Sequence, residues 1–364
     1  MNGSKLPVSQ LPPPSMLVSE PTRTLFQQDW WLQAASLGRF ETVEVKWDAI
    51  TVGLLSYMPR KLFGIFSDLR MPPFTRTLGP VLNLPPSNPT RHMMNMRRVI
   101  GELVAKLPPH DRFHQILDPC DLTPFGFALA GFAVEQNFTF RIPPDIRTES
   151  LFAAIDPATR RLIKAGSKKL MIDEHCDLDR FMRVAALDRL ANGRRNDFLD
   201  FGPVRHLFEA CSARGQTMIL TAVDQHGADL ASVILVWDSR VLYYWLPQRD
   251  RAQSGGGANA FLLWKSAKFA LRKSLTFDFD GYASLGTARF LSSFGVPHLA
   301  RPTIMHRSLR GAFWQIARGA LESTRVNGIR QDPLATWTSA ANMRWRGIIP
   351  SSKARASERD GVLP

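Results

Sequence analysis

Asp278 and Asp280 stand in the run FDFDG, alternating with Phe277 and Phe279. Alternate residues of an extended strand share a face, so both carboxylates project to one side and both rings to the other. Two carboxylates at a strand end can orient or deprotonate an amine. They can equally cap the turn that follows. Upstream, Tyr243 and Tyr244 are adjacent on a strand-like run, so one of them points inward. A phenol there can protonate a departing thiolate, or its ring can pack in the core.

Between the tyrosines and the aspartates lies RAQSGGGANAFLLWKSAKFALRK. From Ala258 onward, Ala260, Leu263, Trp264, Ala267, Ala270 and Leu271 recur at helical spacing, with Lys265, Lys268 and Arg272 on the other side. Gly255, Gly256 and Gly257 therefore sit where a strand passes into a helix N-terminus. Unpaired N–H groups and a partial positive charge gather there, and glycine lets the backbone approach an anion closely. Arg249 and Arg251 add charge nearby. The arrangement suits a pyrophosphate, and a flexible connector without a ligand fits the same letters. It is neither a G-K-[ST] phosphate loop nor the G-x-G-x-x-G dinucleotide fingerprint.

Other chemistries find little support. His110 and His114 make no metal-ligand spacing with each other or with a cysteine, and His226 reads as a turn residue. Cys120, Cys176 and Cys211 are far apart and form no C-x-x-C, so no metal is expected and a reduced, cytoplasmic setting fits best. No H-E-x-x-H, G-x-S-x-G or Cys–His signature is present, which argues against a hydrolase.

The elements that must position these residues fall into two blocks. In the first, a short helix over 24–36 precedes strands in TVEVKW, AITVGLLSYMPR and KLFGIFSD, a turn-rich connector over 71–82, a helix over 88–108, and strands in RFHQILDP and NFTFRIPP. In the second, a helix from Asp156 runs into a strand. Helices over 177–193 and 201–215 each end at a glycine, and three strands follow, joined by hairpin-type turns. After the glycines come the helix from Ala258, the FDFDG strand, a short helix over 286–295 and a last helix over 308–324. Both blocks thus run helix, strand meander, helix, strand, an α+β pattern.

The chain has 364 residues, enough for two domains at about 100–200 residues each. A hydrophobic content of 45% with 23 Phe and 9 Trp excludes global disorder. The apolar runs, such as FALAGFAV, fall far short of the roughly 18–20 residues that span a bilayer, so no membrane span is expected. The Pro-rich N-terminus lacks the apolar core of a signal peptide. The net charge of +14 is compatible with nucleic acid, an anionic membrane surface, a phosphate-bearing small molecule, or simply an Arg-favouring lineage. Its one local concentration is RRLIKAGSKK, over 160–169.

Gln253 to Ala258 resembles the Q/R-x-x-G-x-G/A pyrophosphate loop of the GNAT acyltransferases, in the same place between a strand and a helix. In their order, FQQDWWLQAA, MPPFTRTLGP, GGGANAFLLWKSAKFA and FDFDGYASLGTARFLSSFGV resemble the FemAB-like branch of that superfamily over most of residues 24–305. The resemblance implies an α+β fold of tandem GNAT-like halves, each a mostly antiparallel mixed sheet flanked by helices. It divides the chain into a disordered segment over 1–20, a first half over 21–145, an acyl-CoA-binding half over 146–335 and a flexible tail over 336–364. It implies that the backbone at Ser254, Gly255, Gly256, Gly257 and Ala258 holds the pyrophosphate of acetyl-CoA or another acyl-CoA, with Arg251 and Gln253 beside it. The strand LYYWLP would line the pantetheine arm. RRLIKAGSKK would hold an anionic acceptor or the 3′-phosphate of coenzyme A, or be a solvated face. The sequence departs from the branch at Asp280, where Glu is common, and in Tyr282 and the two residues after it, which marks the acceptor side as altered.

These readings converge on an acyl-CoA-dependent N-acyltransferase. It would acetylate an amine of a small molecule or of a cell-envelope or polysaccharide precursor, with Asp278, Asp280 and Tyr244 as catalytic groups. One alternative is a tRNA-dependent aminoacyl or peptidyl transferase, against which stands the lack of a long heptad arm. The other is a non-catalytic binding protein of the same fold. Nucleic acid remains the weaker partner, resting on charge alone.

Overall fold

The computed structural model describes residues 23–62, 64–191, 202–250, 256–282 and 284–311. The expected segments over 1–20 and 336–364, and nearly all of the helix expected over 308–324, lie outside these residues.

A 3-10 turn, Leu25–Gln27, leads into α1, Asp29–Ser36. A meander follows: β1, Glu41–Trp47, β2, Ile50–Leu62, and β3, Phe66–Arg70. Its first turn is the two-residue Asp48–Ala49, both with positive φ, the handedness that twisted hairpins favour. After the short β4, Val81–Leu82, come α2, Pro89–Ala105, β5, Arg112–Ile116, α3, Pro124–Leu129, and β6, Ala133–Ile142. Asn88 starts α2 by accepting from the Arg91 N–H, with Pro89 as the first helical residue.

α4, Thr148–Ala154, and α5, Pro157–Lys169, join the halves. Asp156 caps α5 by accepting from the Ala158 and Thr159 N–H groups. The second half contains β7, Leu170–His175, α6, Leu178–Ala191, α7, Gly202–Ser212, β8, Thr217–Asp224, β9, Asp229–Trp237, β10, Val241–Arg249, α8, Gly256–Arg272, β11, Thr276–Asp278, α9, Leu285–Ser292, and β12, His298–Arg307.

One sheet runs through both halves in the order β1-β2-β3-β5-β12-β6-β11-β10-β9-β8-β7, with β4 paired to β2 outside this path. Two adjacent pairs are parallel: β3 with β5 across α2, and β10 with β11 across α8. The halves thus repeat one plan, a strand meander followed by a helix and a parallel strand, which is the tandem α+β architecture expected from the sequence. They also exchange strands. β12 lies between β5 and β6, while the end of β6 pairs with β11.

The strand β12 and the helices α3 and α4 are not marked by the letters of the sequence. Pro302 sits in the middle of β12, where proline removes a ladder donor and argues against a strand. Here its carbonyl accepts from Leu117 N at 2.8 Å.

The core has three parts. One lies under α5 and α8 and takes Leu242, Tyr244, Phe277 and Phe279 from the sheet. Another lies on the opposite face under α1, α6 and α7 and takes Val241, Tyr243 and Trp245. The third lies between α2, α3 and the first half of the sheet.

Candidate active site at the junction of the halves

β10 and β11 pair for three residues only, Val241–Thr276, Leu242–Phe277 and Tyr243–Asp278. β10 then continues to Arg249, whereas the chain after β11 turns toward β6, with Phe279 N donating to Phe140 O at 3.0 Å. Beyond Tyr243, β10 therefore runs on without β11 beside it. The register of β10 against β9 also slips between Tyr244 and Leu246, a bulge that puts Trp245 and Leu246 into the same core.

The predicted carboxylates meet where the two strands part. Asp278, 3% exposed, accepts from Thr139 Oγ1 and the Asp280 N–H on one oxygen and from Arg141 Nε on the other, each at 2.7 Å. Arg141 also grips Asp118, 2.5 Å from Nη2 to Oδ2. Asp280 accepts from Arg301 Nη1 at 2.8 Å and is paired with Arg76. It holds φ at +72°, a left-handed conformation that Asp tolerates better than most residues. Three arginines and three aspartates therefore form one balanced network where the two halves join. Burial in such a network requires every charge to be matched. Gly281 completes it, because a Cβ there would lie 2.7 Å from Arg301 Nη2.

Arg76 arrives on the connector over 71–82, which crosses from the first half to the second. Trp31 Nε1 donates to Thr75 Oγ1 at 3.1 Å, Trp245 Nε1 donates to Phe74 O at 2.9 Å, and Gly79 N donates to Gln115 Oε1 at 2.9 Å. Arg76 itself donates to the Trp245 carbonyl of β10. One side chain thus links β10, beyond its divergence, to Asp280.

The two tyrosines are separated by the sheet. Tyr243 faces the aspartates, while Tyr244 faces α8. Both hydroxyls are buried and have no hydrogen-bond partner among the described residues. Burial raises both phenol pKa values, so both stay protonated at neutral pH.

α8 begins two residues earlier than the periodicity suggests, so Gly256 and Gly257 form its first turn and Ala258 is buried behind them. Gly257 has a packing reason of its own. A Cβ there would meet the Leu162 carbonyl at 3.3 Å, and one on Gly166 would meet the Gly257 carbonyl at 2.9 Å. α5 and α8 therefore cross in backbone contact beside the α8 N-terminus. Arg161, Lys164, Lys168 and Lys169 of α5 are exposed around this crossing. Arg251, Gln253, Ser254 and Gly255 lie outside the described residues.

The histidines stand apart. His110 and His306 bond to each other, 3.1 Å between ring nitrogens, and His226 sits in an exposed turn. No group of three metal-ligating residues occurs among the described residues. Sequence reasoning passed over Arg76, Arg141, Arg301 and Asp118. MPPFTRTLGP contains Arg76, but nothing in its letters marks that arginine as a partner of Asp280.

Residues 152–290 match the acetyltransferase (GNAT) domain family. No curated protein matches the chain in sequence. Among solved structures, the chain resembles that of FemX, with a TM-score of 0.62 at 12% identity, covering 82% of this chain and 96% of the other. It also resembles a conserved protein of unknown function from Bacteroides thetaiotaomicron VPI-5482, with a TM-score of 0.50 at 10% identity, covering 81% and 96%. Both likenesses are likenesses of fold, and the first extends over both halves.

Proposed function

We propose that this protein, whose residues 152–290 match the acetyltransferase (GNAT) domain family, is an acyltransferase that transfers an acyl group from an acyl-CoA to an amine. The observation that carries the reading is the divergence of β10 and β11 at Tyr243 and Asp278, with the glycine-started α8 at the end of β10. The divergence leaves β10 without β11 beside it past Tyr243, and the α8 N-terminus offers N–H groups to a pyrophosphate. The α8 face is the donor side in this reading. There the Tyr244 hydroxyl, without a partner among the described residues, donates its proton to the departing thiolate. The opposite face receives the amine. Asp278 is fully engaged by Thr139, Arg141 and Asp280, and Asp280 is held by Arg76 and Arg301, so the two carboxylates orient the amine, with Asp280 the more exposed of them. Arg76 and Arg301 supply positive charge toward the developing oxyanion.

The test is calorimetric titration with acetyl-CoA of the wild type and of Gly256→Glu, which places a carboxylate at the first helical residue. Binding in the wild type that is lost in the variant supports the reading. A wild type that does not bind acetyl-CoA removes it. A second reading, aminoacyl transfer from charged tRNA, is favoured by the exposed cations of α5 beside the α8 N-terminus. It predicts RNA binding with a steep salt dependence.

A further inference from the structure

α2 and α3 carry an apolar face that covers nothing in the described protein. Thr90, Met93, Met94 and Arg97 recur at i, i+3, i+4 and i+7 on α2, beside rather than within the stripe of Met96, Val99, Ile100 and Leu103 that α2 buries. Phe125 and Leu129 of α3 adjoin them, and a groove of about 390 Å³ runs between the two helices. Met93, Met94, Phe125 and Leu129 are 53%, 59%, 51% and 56% exposed, and Leu122 next to them 61%. The two helices are locked by close packing, since a Cβ on Gly126 would lie 3.1 Å from Ile100 Cγ1. The apolar face is therefore presented on a firm support.

The charges of α2 are mostly positive. α2 holds Arg91, Arg97 and Arg98 against a single carboxylate, Glu102, which pairs with Arg98 at 2.8 Å. Arg91 and Arg97 are exposed and make no ion pair among the described residues. An apolar face rimmed by unmatched cations is complementary to apolar chains that carry anionic heads. No described helix is long and apolar enough to cross a membrane, so such contact would be peripheral.

We propose that the α2/α3 face docks on an anionic lipid surface, with Met93, Met94, Phe125 and Leu129 entering the acyl boundary and Arg91 and Arg97 meeting the head groups. The inference is independent of the acyl-transfer reading. It is tested by co-sedimentation of the full chain with vesicles of phosphatidylcholine alone and of phosphatidylcholine with about one third phosphatidylglycerol. The expected result is binding to the anionic vesicles only, weakened about tenfold or more in Met94→Asp/Phe125→Asp and in Arg91→Glu/Arg97→Glu, with unchanged circular dichroism and Tm. These side chains are exposed, so the variants test the surface and not the core. Failure of the wild type to bind anionic vesicles, or equal binding by the variants, overturns the proposal. So does a dimer in light scattering that Phe125→Asp dissociates without any vesicle binding, because the face is then an interface between copies.

Discussion

The Asp280 carboxylate accepts from Arg301 Nη1 at 2.8 Å, so the residue just beyond β11 is held by the strand that the second half lends to the first. Arg76 approaches the same carboxylate from the connector of the first half. The carboxylate is 20% exposed and the two guanidinium groups 12% and 10%, so solvent screens these charges little.

Replacing Asp280 with Asn keeps the shape and tolerates the positive φ, but leaves Arg76 and Arg301 short of a counter-charge. Asp280→Asn is expected to destabilise the fold by about 3 kcal/mol in urea titration. Glu102→Gln, which breaks an exposed pair on α2, should cost at most about 0.5 kcal/mol. Equal effects of the two would show that the junction network contributes no more than a surface pair.

Tyr244→Phe removes a buried hydroxyl that has no partner among the described residues. Stability should stay level or rise by up to about 1 kcal/mol, because an unsatisfied polar group is lost. Turnover should fall roughly 100-fold if the phenol protonates the leaving group. Stopped-flow release of free thiol, read beside a urea titration, checks both halves of the expectation.

Where α5 crosses α8, a Cβ on Gly166 would lie 2.7 Å from Phe261 Cβ and 2.9 Å from the Gly257 carbonyl. Gly166→Ala should therefore force the helices apart and cost about 1–3 kcal/mol. Gly101, inside α2, has nothing within 4 Å of a new Cβ. Gly101→Ala should instead stabilise by roughly 0.5–1 kcal/mol. Opposite signs of the change in Tm are the readout.

His114 is buried with its Nε2 unpaired, and burial together with the nearby Arg112 charge lowers its pKa to about 4. The neutral form is the one the fold accepts, while the unfolded chain takes up a proton near pH 6.5. The unfolded state thus binds more protons between about pH 6.5 and 4. Stability is complete above that window and falls as pH drops through it, by up to about 3 kcal/mol for this one group. His306 and His175 are also lowered by burial and act in the same direction. Urea titrations across the window should show a shallower slope for His114→Gln than for the wild type. An unchanged slope would assign the acid sensitivity elsewhere.

Much of the second half is legible locally. The face of α8 follows from a period of 3.6 and the hairpins from their turn residues, whereas the alternation expected through Asp280 ends with β11 at Asp278, and Asp280, at φ +72°, is placed by Arg76 and Arg301. The first two signals come from neighbours within a few residues. The same alternation puts Tyr243 and Tyr244 on opposite faces. It cannot say which one meets the aspartates, because both faces of this sheet are covered by helices and both tyrosines are buried. Packing decides that question, and it leaves Tyr243 with Asp278 and Tyr244 with α8. The partners of the carboxylates came from far away in the chain. Arg141 is 137 positions from Asp278, and it is brought there because β6 crosses into the second half. Pro302 hid β12, the strand that carries Arg301. A strand is recognised by its own letters, but its neighbours in a sheet are chosen by long-range pairing and burial. The sequence by itself therefore determined the fold class and most of the elements, but not β12, α3 or α4. Only the tertiary structure joined the two halves through β6 and β12 and surrounded Asp278 and Asp280 with three arginines.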